Sequence, residues 1–166
     1  MTQRFGPVKA DFADRFQELY GVGYRAAYGV LGDRVEAEDC AQEALARALV
    51  RWDRVQGYAP AWVARVSVNL ALDRIRSQTR QERSRPTHVS EGSSYDLADR
   101  RRDLGVALAA LPRRQREAVV LRYLVDLPEA EAAGAMGCTI GTIKSTVARG
   151  LDRLRAEMGP RWAWDE

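Results

Sequence analysis

The sequence predicts an all-α protein of two small helical domains joined by a flexible linker, the second domain containing a helix-turn-helix. Three observations predict it. Apolar residues recur at helical spacing in every readable segment, and nowhere do apolar and polar residues alternate as in a half-buried strand. Periodicity is lost from Ser84 to Asp99, where Pro86, Ser90, Gly92, Ser93 and Ser94 mark a tether. Near the C-terminus, Ala133, Gly137 and Ile143 fall where two helices crossing near a right angle need them. The expected boundaries are 8–84 for the first domain, 85–102 for the linker and 103–159 for the second domain.

The first helix reads from Asp11 to Leu31, with Phe12, Phe16, Leu19, Tyr20, Ala27, Val30 and Leu31 at helical spacing, and Gly32 ends it. Asp33, with Glu36 three residues on, forms a capping-box arrangement for a second helix. That helix has an apolar stripe of Ala37, Cys40, Ala41, Ala44, Leu45, Ala48, Leu49 and Trp52, and an opposite face of Glu36, Asp39, Glu43, Arg47 and Arg51. Pro60 suits the first turn of a third helix, where its missing N–H would be unpaired anyway. From Ala61 to Ile75 this helix is apolar nearly all round until Asp73, which predicts the central helix of its domain. It then turns abruptly basic, with Arg74, Arg76, Arg80, Arg83 and Arg85. The second block begins near Asp103, breaks at Pro112, resumes from Gln115 to Val125 and breaks again at Leu127-Pro128. A last helix carries Ile140, Ile143, Val147, Leu151, Leu154 and Met158 on one side.

Composition narrows the function classes. Hydrophobic residues make up 46% of the 166, enough to bury a core, and the net charge is +3 with a pI near 9.1. The excess is modest, but the basic residues are almost all arginine and they cluster. Arginine's planar fork holds phosphates and guanine edges in a fixed geometry. Cys40 and Cys138 lie far apart, which gives no disulfide framework, and the single histidine, His88, leaves no Cys/His set for zinc. Neither a metal nor a cofactor is expected. No apolar run approaches the ~20 residues of a membrane span, and Met1 to Gly6 has no signal-peptide core. A cytoplasmic protein with reduced thiols, not inserted in a membrane, is expected. There is no phosphate-cradling glycine loop and no histidine beside a nucleophile. Asp39 and Glu43 sit on what reads as an exposed helix face, a poor setting for acid–base chemistry. No enzymatic activity and no small-molecule substrate are expected.

The helix pair after Glu129 points to DNA. Small Ala133 permits close approach of the second helix, Gly137 can take the left-handed conformation that reverses the chain, and Ile143 plugs the space between. Thr139 is placed to cap the second helix, whose outer face is Thr142, Lys144, Ser145, Ala148, Arg149 and Asp152. Short polar and basic groups near a helix start are what major-groove reading requires. The spacing alone also fits an ordinary helical hairpin with a solvated face. The upstream run Arg113, Arg114, Arg116 favours DNA, because a phosphate clamp complements a recognition helix.

The stretch "LPRRQREAVVLRYLVDLPEAEAAGAMGCTIGTIKSTVARGLDRLR" (Leu111 to Arg155) closely resembles the C-terminal promoter-reading domain of extracytoplasmic-function (ECF) sigma factors, the small group of the sigma-70 family. Leu111-Pro112, Arg116-Glu117, Leu121-Arg122-Tyr123 and Gly141-Thr142-Ile143-Lys144-Ser145 carry the match. Independently, "AEDCAQEALARAL" (Ala37 to Leu49) resembles the family's polymerase-docking helix, and "AWVARVSVNLALDRIR" (Ala61 to Arg76) its promoter-melting helix. Three departures stand out. Thr146 occupies a place where the family usually has arginine, Ala132 one of a larger aliphatic, and Cys40 that of a common leucine. No further domain follows Glu166, so variants of the family regulated by a C-terminal extension are not expected.

The resemblance implies a promoter-reading subunit that binds core RNA polymerase and promoter DNA, both duplex and melted strand, and it allows for an anti-sigma factor as a further partner. Asp39, Gln42 and Glu43 would dock on the polymerase, though the same residues fit a solvated face with i,i+4 pairs such as Glu43–Arg47. Asn69 would read the edge of an unstacked minus-ten base, with Trp62 supporting the pocket or the fold. An asparagine bonded to neighbouring backbone fits the position too. Arg65, Arg74, Arg76 and Arg80 would track phosphates of the melting strand. Thr142, Lys144, Ser145 and Arg149 would face the minus-thirty-five element, with Arg116 positioning on phosphate. Whether Lys144 and Arg149 meet guanines or phosphates stays open. Glu91, Asp96 and Asp99 of the linker would imitate RNA phosphates. The alternative is a free-standing helix-turn-helix regulator independent of core polymerase, against which the docking helix argues.

Overall fold

The computed structural model describes residues 7–83 and 97–159. Among them every regular element is helical: α1 (Pro7–Leu31), α2 (Arg34–Val50), a short α3 (Trp52–Val55) with a following 3₁₀ turn, α4 (Ala59–Arg83), α5 (Leu97–Ala110), α6 (Arg113–Val119), a π-helical turn (Val120–Leu124), α7 (Glu129–Met136) and α8 (Ile140–Met158). Glu91 and Asp96, expected to imitate RNA phosphates, lie with His88 outside the described residues, and Asp99 lies in α5.

The first domain packs α1, α2 and α4 together. Gly32, at φ 67°, ends α1, and its N–H bonds to Tyr28 O. Asp33 caps α2 by accepting from the Glu36 N–H at 2.9 Å. Alanine covers the inner side of α2, and Ala37, Cys40, Ala41, Ala44 and Ala48 are all buried. These short side chains let the helices approach closely. A Cβ on Gly23 would stand 2.8 Å from Ser67 Oγ and 3.5 Å from Ala41 Cα, so α1, α2 and α4 nearly touch there.

The second domain is the predicted helix-turn-helix with its supporting helices. Gly137 takes the left-handed conformation (φ 62°, ψ 42°), and Thr139 Oγ1 accepts from the Thr142 N–H. Ile143 is fully buried among Ala118, Leu121, Ala132 and Ala133.

Four details depart from the periodicity. α1 starts at Pro7, ahead of Asp11. α2 stops at Val50, so Leu49 faces outward at 38% exposure while Trp52 re-enters the core from the separate turn of α3. Ile140 is 46% exposed because it opens α8, where the crossing helix no longer covers it. α5 begins at Leu97, ahead of Asp103; its first turns are good helix formers that show no apolar face in sequence.

The two domains also share a core. One buried cluster joins Val30, Ala64, Leu72 and Ile75 of the first with Leu108, Leu111, Val119, Val120 and Leu154 of the second. A tether between two separately folded bundles left their relative placement unspecified; the structure brings them into contact. Asp39 and Lys144 nonetheless both keep 60% of their side-chain surface exposed.

Candidate nucleic-acid interface

The polar side of α2 presents Asp39, Gln42 and Glu43, all exposed. Glu43 accepts from Arg47 Nε at 2.7 Å, the i,i+4 pair expected of a helix face. Asp39 lies 3.7 Å from Arg74, whose other nitrogen donates to Glu36 O at 2.8 Å. Between α2 and α4 runs a groove of about 520 Å³ lined by Glu36, Asp39, Asp73, Arg74 and Gln78. Three carboxylates against one guanidinium make it suited to a basic protein partner and unsuited to phosphate.

Along α4, Arg65, Asn69, Arg76 and Arg80 follow one another at helical spacing on one side, while Arg74 turns towards α2. Asn69 is half-buried and Arg80 exposed. Trp62 belongs to the core with Ala44, Leu45 and Val63, so in this conformation it supports the fold and offers no face to a base. Arg65 and Arg76 turn to the second domain: Arg65 stands 3.9 Å from Glu117, and Arg76 donates to Ala109 O at 2.6 Å.

On α8, Thr142, Lys144, Ser145 and Arg149 form one exposed face as the sequence predicts. Lys144 pairs with Glu129 of α7 at 3.2 Å, and Arg149 Nε donates to Ser145 O. Thr146 Oγ1 donates to Thr142 O at 2.7 Å, so the residue in the place of the family's arginine is turned onto its own helix. Arg116 does not join this face. It is half-buried, one nitrogen reaches Ala109 O at 3.4 Å, and its Nε is buried with no partner among the described residues. Burial, and after it the neighbouring Arg76 charge, hold the Arg116 pKa below its ordinary value.

Sequence reasoning missed Glu117, which is 6% exposed and accepts from Arg113 Nε at 2.9 Å. The Arg113–Glu117 spacing of four was a readable signal for the pair, but not for its burial. It also missed Glu36 as the seat of Arg74 and Gln78. Cys40 is fully enclosed, and burial pushes its thiol up to about 11.

Comparison with known proteins assigns both halves. Residues 15–81 match the family model for sigma-70 region 2, and residues 101–154 that for sigma-70 region 4. The RNA polymerase sigma-E factor of Streptomyces antibioticus is 36% identical over 142 residues, covering 82% of this chain and 78% of that protein. The chain belongs to the ECF sigma factors of the sigma-70 family. The ECF RNA polymerase sigma factor SigC of Mycobacterium tuberculosis is 34% identical over 141 residues, 78% of this chain and 74% of that one. Among solved structures, the sigma factor RpoE of Bartonella quintana, crystallised with the anti-sigma factor NepR, aligns with TM-score 0.52 and 26% identity over 89% of this chain and 96% of that one. Region 2 of this sigma factor thus spans the bundle of α1, α2 and α4, and region 4 the helix-turn-helix of α7 and α8 with its supports. Among the described residues no helix is long and apolar enough to cross a membrane, and no group of three metal-ligating side chains occurs.

Proposed function

We propose that this chain binds core RNA polymerase and directs initiation at promoters carrying two elements, acting by binding alone and without covalent catalysis. The observation that carries the reading is that one chain of this family holds two polar helix faces of opposite chemistry exposed: the acidic face of α2 and the hydroxyl-and-basic face of α8. The first fits a basic polymerase surface, with Asp39, Gln42 and Glu43 setting register. The second fits the major groove of the minus-thirty-five element through Thr142, Lys144, Ser145 and Arg149. Arg65, Arg76 and Arg80 follow the phosphates of the melting strand and Asn69 reads an extruded minus-ten base, whereas Arg74 stays with Asp39 and Glu36 in the groove beside α2, and Arg116 would have to leave its half-buried place beside Ala109 to position on phosphate. Holding a flipped base shifts the duplex towards its open form by the differential affinity for single strand. Two elements read from one chain gain from effective concentration, so each contact can be weak. The co-crystallised relative supports an anti-sigma factor as a further partner, and a chain that works on promoter DNA with core polymerase would act in the cytoplasm. The boundaries 8–84, 85–102 and 103–159 serve as the working division for constructing variants. Run-off transcription on genomic fragments with core polymerase tests the reading: discrete transcripts that depend on the chain support it, and none above core alone refutes it.

A further inference from the structure

A second groove, of about 200 Å³, runs between the π-helical turn and α8, and Tyr123, Val147 and Leu151 line it together with Arg122, Lys144 and Glu129. Small-molecule pockets begin near ~300 Å³, so a space of this size suits a single large side chain. Tyr123 leaves 61% of its surface open to solvent, and beside Val147 and Leu151 its ring makes a seat for another aromatic. Two cations stand here against one carboxylate, the reverse of the groove between α2 and α4. Arg122 donates to the neutral Leu127 O, and Lys144 pairs with Glu129 at 3.2 Å. Carboxylates brought to this groove would form the stronger, charge-assisted bonds.

The chain itself carries a segment of that chemistry. α8 ends at Gly159, whose N–H bonds to Arg155 O and whose backbone (φ 64°, ψ −172°) is open to glycine alone and turns the chain out of the helix. Seven residues follow in the sequence, Pro160-Arg161-Trp162-Ala163-Trp164-Asp165-Glu166, with two of the four tryptophans and two carboxylates. Laid back along α8 at ~3.3 Å per residue, Trp164 comes ~16.5 Å from Gly159, Asp165 ~20 Å and Glu166 ~23 Å. At ~1.5 Å per residue along the helix, Ala148 lies ~16.5 Å and Lys144 ~22.5 Å from the same glycine. An indole thus falls abreast of the groove, and the two carboxylates abreast of Lys144.

We propose that residues 160–166 fold back along α8 and seat Trp164 against Tyr123, Val147 and Leu151, with Asp165 and Glu166 taking Lys144 and Arg122. The seated tail covers one flank of the recognition helix and draws Lys144 away from DNA, while Thr142, Ser145 and Arg149 stay open. A tail seated about four-fifths of the time weakens duplex binding about fivefold, because only the open fraction is competent. That effect rests on the reading of α8 as the minus-thirty-five face.

The test incorporates 5-fluorotryptophan in the full chain and reads the fluorine resonances of Trp162 and Trp164, assigned by Trp162→Phe and Trp164→Phe. In the free chain the Trp164 resonance should stand apart from that of a synthetic heptapeptide of residues 160–166. Tyr123→Ala should return it to the peptide position, and the double variant Asp165→Asn, Glu166→Gln should move it the same way. The double variant leaves α1 to α8 untouched, so it decides the matter should Tyr123→Ala lose helix by circular dichroism. In complex with core polymerase, Trp164→Ala should bind a minus-thirty-five duplex about fivefold more tightly than the wild-type chain. A wild-type Trp164 already at the peptide position overturns the proposal, whatever else fills the groove. So does a displaced resonance that ignores both variants, or unchanged duplex affinity in Trp164→Ala. The fluorine reading needs no DNA, so failure of every variant to bind the duplex would sink the reading of α8 and leave the seating of the tail measured.

Discussion

Replacing Lys144 by alanine separates a DNA-contacting role from a structural one. Lys144 pairs with Glu129 at 3.2 Å, with side chains 60% and 39% exposed. A solvent-screened pair of this kind contributes about 0–1 kcal/mol, and alanine is at least as good a helix former as lysine. The folding free energy should therefore change by less than ~1 kcal/mol. Binding should change in one of two recognisable ways. If Lys144 meets a phosphate, the slope of log affinity against log salt should fall by ~0.9, with weakening uniform across sequences. If it meets a guanine edge, affinity should fall by ~1–3 kcal/mol, with preference relaxed at one base pair of the minus-thirty-five element. Fluorescence anisotropy of the polymerase complex with labelled duplexes, over a salt series and a set of single base-pair changes, distinguishes them. Unchanged affinity, slope and preference would refute the assignment of the α8 face, and a destabilisation above ~2 kcal/mol would show that Lys144 is structural.

Asn69→Ala should reduce open-complex formation by a free energy of ~1–3 kcal/mol while leaving core binding intact; equal loss of both, by permanganate footprinting and gel shift, would make Asn69 a packing residue. Gly137→Ala should cost ~1–2 kcal/mol of stability, because its φ of 62° is left-handed and nothing within 4 Å would clash. Gly134→Ala in α7 should instead stabilise by ~0.4–1 kcal/mol, and urea melts giving the same sign for both would contradict the turn geometry. Cys40 should resist alkylation in the folded chain at pH 8 while the half-buried Cys138 reacts. The Cys40 thiol rises from ~8.5 in the unfolded chain to about 11 in the folded one. The folded state then holds the proton longer, and stability falls as pH climbs between those values. Melts of Cys40→Ala should show a shallower alkaline loss.

The helix-turn-helix was legible because each of its residues answers to a local demand. Gly137 meets a positive φ, Thr139 a bare helix N-terminus, and Ile143 the gap under a crossing. The α2 face was legible for the same reason, since helical period alone puts Asp39 and Glu43 opposite Ala41 and Ala48. What the pattern does not encode is which apolar surface meets which. Leu108, Val119 and Ile75 are apolar residues of three different helices, and nothing in their spacing says that they meet across the two domains. That contact draws Arg116 inside, turns Arg65 and Arg76 towards region 4 and buries Glu117, where the sequence had offered the three arginines to phosphates. Helix ends were misjudged for a simpler reason: periodicity assigns Leu49, in the last turn of α2, and Ile140, in the first turn of α8, to stripes whose end turns have nothing above them.

The account stands on the acidic face of α2 meeting a polymerase surface, and gel filtration with core RNA polymerase tests this most directly. The wild-type chain should co-elute with core in equimolar amount, and the double variant Asp39→Lys, Glu43→Lys should elute separately while melting as wild type does. Separate elution of the wild-type chain, or co-elution of both proteins alike, would contradict it.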